Sequence, residues 1–172
     1  MTNHRAFLIV IALVALWSIS NTCAAQISSS GRAGASMTVA RPIVLERLQN
    51  LDFGGIAVSG TGTATINPAT GALTTTGGVS GISGSPKSAR FRLTTGRATA
   101  VLIRLPTSAV ILKRVGGSET MFITNWELEG SAIRIFLSGN AINFGVGGRL
   151  NVSANQTEGV YEGSFDINVE YF

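Results

Sequence analysis

Gly159-Val-Tyr161-Glu-Gly163-Ser-Phe165-Asp-Ile167-Asn-Val169-Glu-Tyr171-Phe172 closes the chain, and from Tyr161 to Tyr171 its odd positions are aromatic, aliphatic or Gly. The even positions between them are Glu, Ser, Asp, Asn and Glu, a strict period of two. That pattern predicts a β-strand with one buried and one wet face, running unbroken over residues 161–171. Burying its large side chains would contribute on the order of 10 kcal/mol as an upper bound. A strand of this kind at a chain end requires a sheet to pair with.

At the opposite end, a short polar segment with Arg5 precedes an apolar run over residues 6–17, and small and polar residues follow to Ala25. This order predicts a secretory signal peptide over residues 1–25, because the run is shorter than the ~20 residues a membrane span needs. Cys23 raises lipidation, but Ser20 and Thr22 are poor precursors of a lipidated Cys, so the expected cut follows Ala25. The expected localisation is therefore export to periplasm, cell surface or medium. The membrane is met only through the cleaved signal.

Residues 26–35 are expected to be a flexible segment and residues 36–172 one domain, a length sufficient for a single core. The chain's one Cys and one His, Cys23 and His4, both fall in the leader. Disulfides, Cys or His metal sites and His-based triads are excluded from the mature chain on that expectation. Residues 26–114 carry ten Lys or Arg against Glu46 and Asp52, whereas residues 115–172 carry seven acids against Arg134 and Arg149. Export argues against a nucleic-acid partner, and the simplest reading of the asymmetry sets basic and acidic strands side by side.

Along the chain, residues 36–48 alternate up to an interruption at Pro42, which predicts an edge strand or one broken there. Leu51-Asp-Phe53-Gly-Gly55 reads as a tight turn, as does Asn67-Pro-Ala-Thr-Gly71. Short strands are expected over residues 61–66, 72–76, 90–93, 100–105, 110–112, 121–128, 133–137, 141–146 and 150–152. Residues 77–88 read as the most flexible interior stretch. Helical period is absent beyond the leader. The expectation is an all-β, antiparallel two-sheet sandwich, immunoglobulin-like or pilin-like, with a jelly roll as the alternative.

Chemistry-bearing motifs are few. The Gly-rich stretches over residues 81–88 and 145–150 lack phosphate-loop or dinucleotide spacing and read as loops. Glu127 with Glu129, and Glu162 with Asp166 and Glu170, lie on polar strand faces where charge serves solvation. Trp126 reads as core or sheet-edge rather than a sugar platform. Asn151-Val-Ser153 and Asn155-Gln-Thr157 fit the glycosylation pattern. These readings point to a non-enzymatic protein with no cofactor and no metal.

Leu51-Asp-Phe53-Gly54, the stretch from Thr74 to Val79, Leu150-Asn-Val152, Ala154-Asn-Gln156, and the segments from Gly159 to Phe165 and Val169 to Tyr171 together resemble the bacterial domain-of-unknown-function 4402 family. The resemblance implies an exported all-β domain and supplies no catalytic residue. A second resemblance is confined to the chain end: Tyr171 is penultimate and Gly159 fourteenth from the end, as in chaperone-usher pilin subunits. It implies a sandwich completed by another subunit's N-terminal strand. The candidate assembly strands are then Ala33, Ala35, Met37 and Val39 as donor, beside Gly159, Tyr161, Gly163, Phe165, Ile167, Val169 and Tyr171. The expected role is a structural or adhesive protein of the cell surface, of fimbrial-subunit type, whose partners are other subunits. The alternative is a self-contained module for glycan or another envelope component, with its site on loops such as residues 77–88.

Overall fold

The computed structural model describes residue 37 and residues 43–137 and 140–171. The described residues form eleven strands and no helix: β1 (Val44–Gln49), β2 (Gly55–Ile66), β3 (Leu73–Ser83), β4 (Ala89–Thr94), β5 (Thr99–Arg104), β6 (Val110–Arg114), β7 (Thr120–Leu128), β8 (Ile133–Phe136), β9 (Ala141–Val152), β10 (Tyr161–Glu162) and β11 (Asn168–Tyr171). The larger sheet runs β1-β4-β9-β7-β6-β10, with β2 added to β9 and β3 to β2; the smaller runs β11-β5-β8. Every pairing is antiparallel. The expected all-β sandwich of two antiparallel sheets is therefore the observed architecture.

The hub is β9. Its even positions Phe144, Val146, Leu150 and Val152 are buried, while β4 and then β2 pair along one edge and β7 along the other. Such a strand must be apolar on one face and small where neighbours crowd. The Gly-rich stretch at residues 145–150, expected to be a loop, is the middle of this strand. Its glycines serve close approach: a Cβ on Gly147 would collide with the Ile66 carbonyl oxygen, and one on Gly145 with that of Pro68. The Asn67 turn thus presses onto β9 where β4 gives way to β2. Asn67 Oδ1 accepts from the Ala69 and Thr70 N–H groups at 2.9 and 3.1 Å, which fixes that turn.

Two clusters form the core. One lies inside the curl of the larger sheet and gathers Ala64, Ile66, Met121, Ile123, Leu150 and Val152. The other joins β4 and β9 of the larger sheet to β5 and β8 of the smaller through Phe91, Leu93, Val101, Ile103, Phe136 and Phe144. Trp126 packs against both, and the tilted Trp126–Phe165 pair has ring centroids 4.5 Å apart. Trp126 is half-buried against the core, with its Nε1 buried and without a hydrogen-bond partner among the described residues.

Four further sequence expectations need correction. Residues 77–83, read as flexible, complete the long strand β3, and Lys87 bridges Asp52; Gly and Ser read as loop-like, yet they suit a hairpin whose strands touch closely. Strands β2 and β3 run 12 and 11 residues, longer than the short pieces expected. The closing stretch is not one strand: β10 pairs with β6 in the larger sheet and β11 with β5 in the smaller, with residues 163–167 crossing between them. Alternation survives in the crossing, since Phe165 and Ile167 are half-buried and Ser164 and Asp166 exposed, because one side still faces the core. Tyr171, expected in the core, is 45% exposed.

The charge asymmetry has a structural counterpart. The ion pairs Arg90–Glu129, Arg104–Glu170 at 3.0 Å and Arg114–Glu119 at 3.4 Å each join an arginine of the basic half to a glutamate of the acidic half.

Candidate functional site

The chain from Gly159 to Phe165, where the crossing begins, forms one wall of a cleft of about 770 Å³. The facing wall is β1 at Arg47 and Gln49, on the side without a strand neighbour among the described residues, together with the turn through Asp52 and Gly55. Val110, Leu112, Met121, Ile123 and Leu150 line its depth, so the opening reaches the first core cluster. The larger sheet has curled until its two ends, β1 and β10, face each other without pairing. A second depression of about 600 Å³ lies along Arg104, Leu105 and Val110 and also meets residues 164–166 and Asn168. The crossing segment therefore has open space on two sides.

Each wall is held locally. Asp52 exchanges backbone hydrogen bonds of 2.9 and 2.8 Å with Lys87, and its Oδ1 accepts from Gly54 N–H at 2.8 Å. This is the local turn expected from the sequence, with Phe53 turned inward at 9% exposure. Opposite, Arg114 Nε donates to the Glu158 carbonyl at 2.7 Å, and Val115 N–H donates to Val160 at 2.8 Å. Tyr161 Oη donates to the Thr157 carbonyl and accepts from Gln156 Nε2, both at 2.7 Å. Glu119, the ionic partner of Arg114, has its carboxyl held below the ordinary value, first by its own backbone N–H and next by the Arg114 charge, against some desolvation. A depressed carboxylate contributes stability above its unfolded pKa and loses it as pH falls through the folded one.

Between these anchors, residues 163–167 make no backbone–backbone hydrogen bond among the described residues, although they alternate in burial as a strand does. Backbone N–H and C=O groups left without protein partners must be met by water or by an added chain.

Of the candidate assembly residues, Gly159, Tyr161, Gly163 and Phe165 come together on the cleft wall. Ile167 and Val169 are half-buried against the second cluster, and Tyr171 lies opposite Val101 in the smaller sheet. Met37 is 85% exposed; Ala33, Ala35 and Val39 lie outside the described residues. The facing wall from Arg47 to Gly55 was not foreseen, because nothing in a local pattern reports how far a sheet curls.

The two glycosylation patterns separate on geometry. Asn151 sits in β9 with Nδ2 donating to Phe122 O at 3.2 Å and Thr124 Oγ1 at 2.9 Å, whereas Asn155 is exposed on a turn. In a host that modifies this pattern, intact-mass analysis is expected to find glycan on Asn155 and none on Asn151, and Asn155→Gln to remove it all.

Residues 43–171 match the family model described as domain of unknown function (DUF4402). No curated protein and no solved structure matches the chain at a significant level.

Proposed function

The chain belongs to the DUF4402 family, and from that premise we propose that it is an exported structural or adhesive protein of the bacterial cell surface, of fimbrial-subunit type. In this reading the cleft takes a β-strand from the N-terminal segment of another copy, with Ala33, Ala35, Met37 and Val39 as its alternate side chains. The observation that carries the reading is the wall at residues 159–165, which leads into the segment 163–167, alternating in burial and without backbone partners among the described residues, beside an opening into the core. Strand addition would satisfy those groups and bury apolar side chains at alternate positions. Charge supports the pairing: residues 26–42 carry Arg32 and Arg41 and no acid, and the wall carries the exposed Glu162 with Asp166 just beyond.

A synthetic peptide of residues 31–42, added to the protein at about one hundred times its Kd, is expected to stabilise it by about 2.7 kcal/mol. Deleting residues 26–39 is expected to abolish assembly through the cleft while leaving the monomer folded, because β1 begins at Val44. A peptide that leaves the melting temperature unchanged, with assembly persisting after the deletion, would overturn the reading.

A second reading keeps the cleft for a small ligand. Its volume lies within the roughly 300–1,000 Å³ of small-molecule sites, and Arg47, Asp52 and Glu162 give it polar groups. A glycan array separates the two, since a self-contained glycan module binds there without any peptide.

A further inference from the structure

We propose that the open edge of the smaller sheet is a second contact, in which β8 of one copy pairs antiparallel with β8 of another across a two-fold axis at Ile135. This contact is separate from the cleft and does not depend on it.

Among the described residues, β8 has a neighbour on one side only, β5. Its outward row is apolar: Ile133, Ile135 and Leu137 are 42%, 81% and 70% exposed. Natural edge strands are guarded by charge, proline or a bulge, and this row has none; the strand's only charge, Arg134, lies opposite the fully buried Val101 and so points inward.

Backbone phase selects the register. Ile103 N–H donates to the Ala132 carbonyl at 2.9 Å, and Leu102 lies opposite Ile133. In an antiparallel ladder, Ala132, Arg134 and Phe136 therefore exchange bonds with β5, and the N–H and C=O groups of Ile133, Ile135 and Leu137 point to the open edge. Ile133 N–H is taken by Ser131 Oγ at 3.2 Å and the Leu137 carbonyl accepts from Asn140 at 3.2 Å. Ile135 keeps both groups for a partner.

Residues directly opposite in an antiparallel pair share a face. Outward residues must then meet outward residues, and an axis at Ile135 does this throughout. Ile135 meets Ile135 with two reciprocal backbone hydrogen bonds, Ile133 meets Leu137, and Arg134 meets Phe136 rather than a second Arg134. The same strand thus supplies its own complement in backbone phase, apolar row and charge. One strand pair buries less than the ~1,200 Å² of a stable specific interface, so the contact is weak and concentration-dependent alone and gains strength where copies are held together.

Sedimentation equilibrium of the protein produced from the full-length sequence is expected to show a monomer–dimer equilibrium, weakened at least tenfold by Ile135→Lys. The control Ile111→Lys, at a 55% exposed position of the larger sheet, is expected to leave it unchanged. In a Cys23→Ser background, Ile135→Cys should form a disulfide-linked dimer under mild oxidation, since opposed Cα atoms about 5.5 Å apart suit a disulfide. Ile133→Cys should not, because its counterpart lies beyond the axis. Absence of a dimer at the highest soluble concentration, insensitivity to Ile135→Lys, or equal cross-linking of the two cysteine variants would each overturn the proposal. Association that survives Ile135→Lys but disappears on deleting residues 26–39 would belong to the cleft instead.

Discussion

Gly147→Ala is expected to destabilise the fold by on the order of 3 kcal/mol, near the top of the range for overpacking. The added methyl would meet the Ile66 carbonyl oxygen and the Pro68 nitrogen, both backbone atoms. Neither can turn away as a flexible side chain would, so β9 and the Asn67 turn must separate. Gly147 has no left-handed φ; the cost is steric rather than conformational. Gly60→Ala is the matched control, since its Cβ would find only ordinary contact, 3.6 Å from Gly78 Cα. Urea denaturation is the measurement, and a loss under about 0.5 kcal/mol for Gly147→Ala would contradict the placement of the turn on β9.

Phe144→Ala is expected to cost about 3–5 kcal/mol. Phe144 is 0% exposed and stacks on Phe91 with centroids 5.6 Å apart and planes 20° apart. Its ring belongs to the cluster that joins the two sheets, so the cavity would open in the layer between them. Because β5 and β11 depend on that layer, near-ultraviolet circular dichroism and the denaturation midpoint should fall together. Phe144→Leu should recover much of the loss, since it leaves a smaller cavity than Ala does. A loss below about 1 kcal/mol for Phe144→Ala would place the ring outside the core.

Fold class was legible because the alternation in the sequence is strong and turn chemistry is local. Asp52 and Asn67 act within a few residues of themselves, so their roles follow from their neighbours in the chain. The interruption at Pro42 pointed to an edge strand or one broken there, and β1 is at the edge of the larger sheet among the described residues. What was not legible depends on partners distant in sequence. Gly145 and Gly147 read as loop because glycine is usually a turn residue, while here it admits the backbone of Ile66 and Pro68. Residues 161–171 kept a period of two while changing sheets, since period reports which side faces the core and not which strand lies alongside. The cleft combines both limits: half its wall was in the closing stretch from the start, and the other half depends on where the sheet's curl stops.

Amide hydrogen exchange of the protein with and without excess peptide of residues 31–42 tests the strand-acceptor reading at its site. Strand addition in the cleft predicts new protection at residues 163–167 and along the facing wall at residues 47–55, with β8 unchanged. Unchanged exchange on both walls, or protection confined to another edge, would contradict it.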